Sequence, residues 1–562
     1  MSQHDFQVSV SSDWNGAFGG EVGSNSDAEY EIAMGLVEQG QLTAAEAVLK
    51  RISGMHQLVT VKAFAANDLG VLDAAQGRLA AARQHFQFAL DLDPACQTAR
   101  ENIEILNSES TKSDRVVASD GKSEVFPART RVAILSLLFN WPSTGGGTIH
   151  TAETALFLSR AGYEVRHIYA HFPTWGLGRV DSPLDVDLLP LHFESDSWNA
   201  AEIQRRFRVA VDEFAPDYVI ITDSWNFKPL LAEAVRGYRY FLRLAALECL
   251  CPLNNVRLLV NAQEQLTSCP NHQLATPDTC RDCVSKNRSR SGQLHQLERQ
   301  LAGFEIPGYV DKLRAAFADA EAVLAVNPLI AAMVSPYAKQ VRIVPSGFDP
   351  TRFPITTKRP PKNGLEKKRI FFAGLVPEYI KGFAVLHEAC SRIWQRRQDF
   401  ELVATADPIG QTDAFTTYVG WLSQSELPNH LQQADLLVFP TVAEEALGRS
   451  AVEGMAAGIP VIASRIGGLQ FTVSDWGTGL LFEPGNVRDL ESKIELLLDD
   501  SDLRDRLGRA GRKRFEEEFT WDRIIERHYR PLLGTLPGKS AKPMMRGQDR
   551  APFSPSLVSA AR

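Results

Sequence analysis

Two glutamates in the C-terminal half of the chain stand at a spacing that suits recognition of a hydroxylated ligand. Glu445 lies in a glycine-containing loop after an apolar strand, and Glu453 lies about one turn into the helix that follows. Carboxylates at the rim of a cleft accept hydrogen bonds from hydroxyl groups, so one could hold a transferred sugar and the other a ribose. Two glutamates with seven residues between them mean little alone. The pattern becomes specific because Gly448 lies between the two glutamates, and the small-residue helix 454–458 and a further strand follow them.

A lysine precedes this pair in the chain. Lys381 stands near the end of the segment 374–382, which directly follows the strand 369–372. Because an ammonium group is a point charge with rotatable donors, Lys381 could reach a diphosphate lying over the turn at Gly374. Taken alone, the segment fits a solvated surface lysine better, so its meaning depends on its neighbours.

A glycine-rich loop, 144–148, lies between a strand and a helix in the first half of the chain. Gly146 and Gly147 let the backbone approach a ligand closely, and the N-terminus of the helix offers free N–H groups to an anion. A tight turn with no ligand would have the same sequence. The loop therefore supports an anion site only together with the residues above.

Five of the seven cysteines lie between positions 249 and 283. The pairs Cys269 with His272 and Cys280 with Cys283 have the spacing of zinc ligands. Cys251 with the other three thiols is an alternative ligand set, and free thiols in an insertion are a third interpretation. We expect zinc rather than an iron–sulfur cluster. Its role would be structural, because the candidate catalytic residues lie across the cleft from these cysteines.

Composition excludes several classes of protein. The length of 562 residues suggests about three to five domains. The hydrophobic share of 44% and the charged share of 23% exclude a wholly disordered chain. No apolar run approaches the roughly 20 residues of a membrane-spanning helix, and the first residues carry no secretory signal. A net charge of −8 argues against a nucleic-acid partner, and the cysteine usage indicates a reducing, cytoplasmic compartment.

The elements that must position these residues form two sets of alternating strands and helices. This alternation predicts an α/β fold class of two tandem Rossmann-like doubly wound domains, whose ligands bind beyond the C-terminal strand ends in the cleft between them.

The expected organisation is a disordered N-terminus 1–27, helical repeats 28–107, a linker 108–129, a first α/β domain 130–356 with a cysteine-rich insertion 249–283, a hinge 357–368, a second α/β domain 369–519, a final helix 520–536 and a disordered tail 537–562.

The helical region 28–107 is rich in alanine. Gly70, Ala82 and Ala89 are small where two antiparallel helices would touch, Phe86 would fill the gap between them, and Pro94 would end the second helix. This spacing resembles a tetratricopeptide repeat, with a weaker copy upstream; an ordinary helical hairpin is the alternative. Two repeats are fewer than such arrays need to stand alone, so we expect the module to pack on the next domain and to bind a protein partner.

Over residues 130–535, and most strongly 370–500, the sequence resembles the retaining GT-B glycosyltransferases, and within them glycosyltransferase family 4. In the second half of the chain the segments that carry this resemblance are 371–382, 419–422 through 434–435, 445–464, 467–469, 477–479 with 482–485, and 519–521. In the first half they are 145–147 and 345–349. The resemblance implies that the second α/β domain binds a nucleotide-diphosphate sugar and that the first binds the acceptor. It also implies that the final helix crosses back onto the first domain.

The resemblance gives roles to individual residues. It implies that Lys381 binds the donor diphosphate, that Glu445 contacts the hydroxyls of the donor sugar, and that Glu453 binds the ribose. The other donor-binding positions are Gly420, Trp421 and Leu422 at the base, Gly374 and Gly448 in turns of the donor site, and Gly146 and Gly147 approaching the diphosphate from the first domain.

The chain departs from the family pattern in two places. The family usually has an arginine where this chain has Leu375, and Arg449 could replace it because a guanidinium suits bidentate phosphate contacts. Many members carry a histidine at the end of the strand 218–222, where this chain continues with Asp223. We place Asp223 and His150 on the acceptor side, and for His150 a packed position at the helix start is an equal alternative.

The function implied is a retaining transferase that acts on an acceptor in polysaccharide, glycolipid or glycoprotein assembly. We expect no catalytic divalent metal, because no D-x-D motif stands at a strand end to hold a diphosphate-bound cation. Two alternatives remain: a repeat scaffold with a ligand-binding but inactive transferase domain, and a GT-B epimerase or phosphorylase. Basic spots at Arg392, Arg396, Arg397 and 367–369 leave open a peripheral contact with the inner face of a membrane.

Overall fold

A computed structural model describes a large part of the chain. The described residues are 33, 45, 48–49, 59–75, 79–116, 129–143, 145–222, 224–254, 256–260, 266–288, 291–354, 367–374, 379–405 and 413–534. The predicted disordered ends, most of the upstream repeat copy and most of the predicted hinge lie outside them.

The first α/β domain is built on a parallel sheet. Its strands are β1 (Arg131–Ser136), β2 (Glu164–His171), β3 (Asp187–His192), β4 (Tyr218–Ile221), β5 (Tyr240–Leu244), β8 (Ala322–Ala325) and β9 (Val341–Ile343), and a separate antiparallel hairpin consists of β6 (Leu258–Val260) and β7 (Leu266–Ser268). The strand order is β3-β2-β1-β4-β5-β8-β9, and every pair runs parallel. The central strands are apolar and buried because helices cover both faces of the sheet.

The second α/β domain repeats this plan. Its strands are β10 (Lys368–Phe372), β11 (Phe400–Ala404), β12 (Thr416–Tyr418), β13 (Leu436–Phe439), β14 (Val461–Ser464) and β15 (Gly479–Phe482). They form a parallel sheet in the order β12-β11-β10-β13-β14-β15. The prediction of two parallel-sheet α/β domains is confirmed.

Helices precede the first sheet and flank both sheets. The described helices are α1 (Val59–Ala75), α2 (Leu79–Leu92), α3 (Gln97–Val116), α4 (Gly146–Arg160), α5 (Ala200–Phe214), α6 (Lys228–Ala234), α7 (Pro277–Lys286), α8 (Gln293–Ala302), α9 (Tyr309–Asp319), α10 (Pro328–Val334), α11 (Phe383–Trp394), α12 (Leu427–Gln433), α13 (Arg449–Ala456), α14 (Leu469–Thr472), α15 (Val487–Asp499), α16 (Ser501–Arg514), α17 (Trp521–Ile524) and α18 (Arg530–Leu533).

The last helical segment lies on the first domain. Trp521, which begins α17, is fully buried in the same apolar cluster as β1 and α4. Its backbone N–H donates to the carbonyl of Phe348 over 3.2 Å, and Tyr163 on the first domain donates to the carbonyl of Gly534 over 3.0 Å. The segment therefore ties the end of the second domain to the first.

The N-terminal helices pack as the small residues suggest. The Phe86 ring fills the space over Gly70, where a side chain on the glycine would overlap the ring. Gln84 on α2 donates to the carbonyl of Val186 over 2.8 Å and accepts from the backbone N–H of Leu184 over 2.8 Å, so the helices contact the first α/β domain. Helix α3 continues past the expected boundary at 107, so the expected linker begins within a helix. The assignment to tetratricopeptide repeats stays a prediction.

Several strands had no signal in the sequence. Strand β3 stands at the sheet edge, is only partly buried and contains Pro190, which a central strand could not accommodate. Strand β15 is short and starts at a glycine. The β6–β7 hairpin lies in the cysteine-rich insertion, and each of its strands is only three residues long.

Candidate active site

A cavity of about 490 Å³ lies between the two sheets, beyond the C-terminal ends of their strands. Both domains contribute to its wall, as the general behaviour of parallel sheets predicts. The residues proposed from the sequence that line it are Gly146, Gly147, Gly374, Lys381, Trp421, Leu422, Glu445, Gly448, Arg449 and Glu453. Their roles stay predictions, but the structure brings them to one place.

Lys381 and Glu445 lie next to each other in the part of the cavity wall that the second domain contributes. The Lys381 Nζ donates to Glu445 Oε1 over 2.8 Å, and the two side chains are 28% and 22% exposed. Gly382, at φ +73°, lets the chain turn into α11 against Pro440, where a Cβ would overlap the carbonyl oxygen. The turn thereby holds Lys381 beside the loop that carries Glu445.

Glu453 is buried on α13, with its Oε1 4.0 Å from Nη2 of Arg352. Gly448 precedes this helix at φ +79°, and a Cβ there would overlap the Leu469 side chain. The positive φ and the close contact explain why the sequence has glycine at this position. A carboxylate on the first turns of a helix beside a cavity can accept hydrogen bonds from a bound polyol.

Arg449 lines the cavity and crosses to the first domain. Its Nη2 lies 3.4 Å from Glu153 Oε2, and its guanidinium carbon lies 4.3 Å from the centroid of the Phe348 ring. A Cβ on Gly146 would come within 3.2 Å of the Arg449 Cδ, so the glycine loop faces this arginine closely. A cationic side chain and the start of α4 thus stand on opposite sides of the same space.

The second domain contributes further residues to the cavity wall. Trp421 is 53% exposed although it lines the wall. Gly420 adopts φ +72° in the turn before it but is not among the lining residues. Thr405 is a lining residue that the sequence did not reveal: its Oγ1 accepts from the Gly374 N–H over 3.0 Å and so fixes that turn.

His150 and Asp223 were both placed on the acceptor side. His150 is fully buried and is not among the lining residues; its Nε2 accepts from Arg243 Nε over 3.0 Å, and its ring stacks on Trp521. Burial first, then the charges of Arg243 and Arg449, hold its pKa well below the usual range. This is the packed helix-start position that the sequence left open. Asp223 lies outside the described residues.

The first-domain wall contains a short apolar turn, 245–247, that sequence patterns did not single out. A buried ion pair fixes it: Lys228 Nζ lies 2.8 Å from Glu248 Oε2, and Glu248 Oε1 accepts from the Ala245 N–H over 2.8 Å. No motif signalled this pair, because the two charges are twenty positions apart and each looks like a surface residue.

The cysteine-rich insertion reaches the first-domain side of the cavity. Val256 lines the wall, and Arg257 Nη1 lies 3.4 Å from Glu444 Oε2, on the loop that carries Glu445. Arg257 also donates to the carbonyl of Cys269. One side chain therefore connects the insertion to the loop that carries Glu444 and Glu445.

Four thiols of the insertion lie close enough to affect one another. Burial raises the pKa of Cys280 to about 12, and the neighbouring Cys251, Cys269 and Cys283 add to the rise. All are free cysteines, and His272 is half-buried with a pKa lowered by burial and by Arg257. Among the described residues, no group of three or more His, Cys, Asp or Glu side chains is arranged to hold a metal. Zinc stays a prediction, which metal analysis of the purified protein would contradict if it found neither zinc nor iron.

The basic spots are paired with carboxylates. Arg396 contacts Glu491 and Glu495, and Arg397 contacts Asp399 and Asp499. Arg392, Lys368 and Arg369 have acidic partners as well. Lys367, the remaining member of the segment 367–369, lies with its Nζ 4.8 Å from the centroid of the Trp394 ring. A peripheral contact with a membrane stays a prediction. No helix in the described part of the chain has the length and hydropathy to cross a membrane.

The second domain is similar to a known family of enzymes. Residues 411–514 match the family described as Glycosyl transferases group 1. The match begins just before β12 and ends with α16, so it includes both glutamates of the site.

Curated relatives point the same way. The glycogen synthase of Mycobacterium tuberculosis is 28% identical over 209 residues, which is 35% of this chain and 49% of the relative. The 2-deoxystreptamine glucosyltransferase of Streptomyces kanamyceticus is 31% identical over 228 residues, which is 37% of this chain and 58% of the relative. The chain thus spans about half the length of the curated relatives it matches.

A solved structure shows the same fold. Anabaena Alr3699/HepE, in complex with UDP, matches with a TM-score of 0.50 at 13% identity, over 72% of this chain and 99% of that chain. The predicted GT-B arrangement of two α/β domains is confirmed for this part of the molecule.

Proposed function

We propose that the protein is a retaining glycosyltransferase that moves a sugar from a nucleotide-diphosphate sugar to an acceptor in polysaccharide, glycolipid or glycoprotein assembly. The observation that carries the proposal is the cluster of Lys381, Glu445, Arg449 and Glu453 around one interdomain cavity. Two cations and two carboxylates there match a donor that has both phosphate charge and hydroxyl groups.

Each group has a place in the proposed reaction. Lys381 and the N–H groups at the start of α4 bind the diphosphate, with Arg449 supplying the charge that Leu375 does not. Glu445 accepts hydrogen bonds from the donor sugar, and Glu453 accepts from the ribose. The exposed face of Trp421 and the turn beside it receive the base. UDP is the first nucleotide to test, and uracil therefore the first base, because the similar Anabaena structure is a complex with UDP.

The proposed step needs no protein base. The bond between the anomeric carbon and the diphosphate oxygen breaks, and the acceptor oxygen forms a new bond on the same face of the sugar. The acceptor proton passes to the departing phosphate oxygen. The protein contributes positioning and stabilises the charge that develops on the diphosphate, which is the task of Lys381 and Arg449.

The N-terminal helices are proposed to bind a protein, either the acceptor or an assembly partner. Gln84 fixes them against 184–186, so a partner on their outer face would lie beside the acceptor domain. Charge reversal of the exposed Arg83 and Asp91 on α2 should lower transfer to the natural acceptor and leave donor hydrolysis unchanged. Equal transfer by the reversed variant would contradict this part of the proposal.

A panel of nucleotide sugars tests the donor assignment. A ligand that binds only the folded state raises its melting temperature, so one nucleotide-diphosphate sugar should stabilise the protein above the rest. Proton NMR of the product would then report the anomeric configuration, and retention is expected. No stabilisation by any nucleotide sugar or free nucleotide would favour the scaffold alternative, and inversion would contradict the mechanism.

A further inference from the structure

A largely buried carboxylate of the first domain lies where the domains meet. Glu153 lies in the second turn of α4, the helix whose first residues line the cavity, and its side chain is 12% exposed. Its Oε2 lies 3.4 Å from Arg449 Nη2 and accepts from Trp521 Nε1 over 3.3 Å. Its Oε1 lies 4.0 Å from Arg352 Nη1.

The three partners of Glu153 come from three separate segments. Arg449 begins α13 of the second domain, Arg352 lies at the end of the first domain, and Trp521 lies in the helical segment that returns from the second domain. Arg352 also lies 4.0 Å from Glu453 and donates to the carbonyl of Gln424 over 2.8 Å. Charges therefore alternate from Arg449 through Glu153 and Arg352 to Glu453 across the domain boundary.

The two amino groups of Arg449 have different surroundings. Nη2 faces Glu153, whereas Nη1 is buried and has no hydrogen-bond partner among the described residues. Arg449 also lines the cavity, and 15% of its side chain is exposed. Its guanidinium can therefore offer an N–H to a phosphate oxygen there while Nη2 keeps its contact with Glu153.

We propose that Glu153 is a positioning residue that holds Arg449 toward the donor diphosphate, so that diphosphate binding depends on the contact between the two domains. This inference rests on the proposed function. A positioning role predicts that diphosphate binding weakens when the charge of Glu153 is removed. If Glu153 instead competed with the phosphate for Arg449, removing its charge would make diphosphate binding tighter. Burial raises the pKa of Glu153 and the two arginines oppose the rise, which is the balance expected of a carboxylate in this setting.

A double-mutant cycle on nucleotide affinity tests the proposal. The full-length protein and its Glu153→Gln, Arg449→Gln and double variants are titrated calorimetrically with UDP and with uridine, which lacks the phosphates. Glu153→Gln should weaken UDP binding about tenfold, a usual size for coupled neighbours, and leave uridine binding unchanged. In the Arg449→Gln background the same substitution should change UDP affinity less than about twofold.

Other results would overturn the inference. Unchanged or tighter UDP binding by Glu153→Gln, or equal effects in the two backgrounds, would show that Glu153 does not act through Arg449. Glu526→Gln is the matched control: it removes the charge of a glutamate in a surface ion pair with Arg530, and UDP affinity should stay the same. If Glu153→Gln does not fold, Glu153→Asp, which withdraws the carboxylate, should weaken UDP and spare uridine.

The proposed function and this inference fail differently. A wild-type protein that binds neither UDP nor any other nucleoside diphosphate contradicts the proposed function. If the wild-type protein binds a nucleoside diphosphate but the effects of Glu153→Gln and Arg449→Gln on its affinity are additive, only the role of Glu153 is contradicted.

Discussion

The Lys381 ammonium and the Glu445 carboxylate lie 2.8 Å apart at the ends of two neighbouring strands, β10 and β13. In a parallel sheet the segments that follow adjacent strands meet at one edge, which explains how residues far apart in sequence form this contact. The pair keeps a cation and an acceptor group next to each other at the cavity wall, where phosphate and hydroxyl groups of one ligand could be bound together.

Replacing Glu445 with Gln should impair use of the donor sugar. The amide keeps the size of the side chain but loses the charge-assisted hydrogen bonds, so kcat/KM for the nucleotide sugar should fall about tenfold or more. Glu495→Gln, which loses only a surface ion pair with Arg396, should leave the kinetics unchanged. Unaltered donor kinetics in Glu445→Gln would contradict the sugar-binding role.

The buried ion pair of Lys228 and Glu248, which holds the turn 245–247, makes a prediction about stability. Glu248→Ala leaves the Lys228 ammonium buried without its partner and should cost about 3–5 kcal/mol in the free energy of unfolding, measured with urea. Adding Lys228→Met removes the stranded charge and should recover part of the loss. If the double variant is no more stable than Glu248→Ala, the charge is not the cause.

Buried histidines should make the protein less stable in mild acid. Burial lowers the pKa of His167 from 6.5 to about 3. Between these values the unfolded chain takes up a proton that the folded chain does not, so stability falls as the pH drops below about 6.5, by about 1.4 kcal/mol per pH unit. Urea unfolding at pH 7.5 and pH 5 measures the slope. His167→Gln should reduce it, and an identical slope would argue against a neutral buried imidazole.

Gly382 and Gly458 have the same φ of +73° but differ in how closely other atoms approach them. Substitutions at the two positions therefore distinguish the cost of backbone strain from the cost of a steric overlap. A Cβ at Gly382 would overlap the Pro440 carbonyl, whereas at Gly458 the nearest atom outside the local chain is 3.9 Å away. Gly458→Ala should therefore cost only the strain of about 1–2 kcal/mol. Gly382→Ala should cost more and also weaken donor binding, because the turn holds Lys381. Equal unfolding free energies for the two variants would contradict this assignment.

The sequence predicted the parts of the site that sit directly after strands. Lys381, Glu445 and Glu453 each follow an apolar strand or its loop, and strand ends in parallel sheets meet at one edge. It did not predict the junction at Glu153 or the turn held by Glu248. Those contacts join segments from distant parts of the chain, and a single carboxylate on a helix has no local pattern that distinguishes a buried partner from a solvated one.

The release of nucleoside diphosphate from the preferred nucleotide sugar, compared between the wild-type protein, Lys381→Ala and Lys381→Arg, tests the central claim most directly. The cavity is proposed to stabilise charge on the departing diphosphate through Lys381, so turnover should fall on the order of 10²–10³-fold in the alanine variant and be partly kept by arginine. Wild-type turnover in Lys381→Ala would contradict the account.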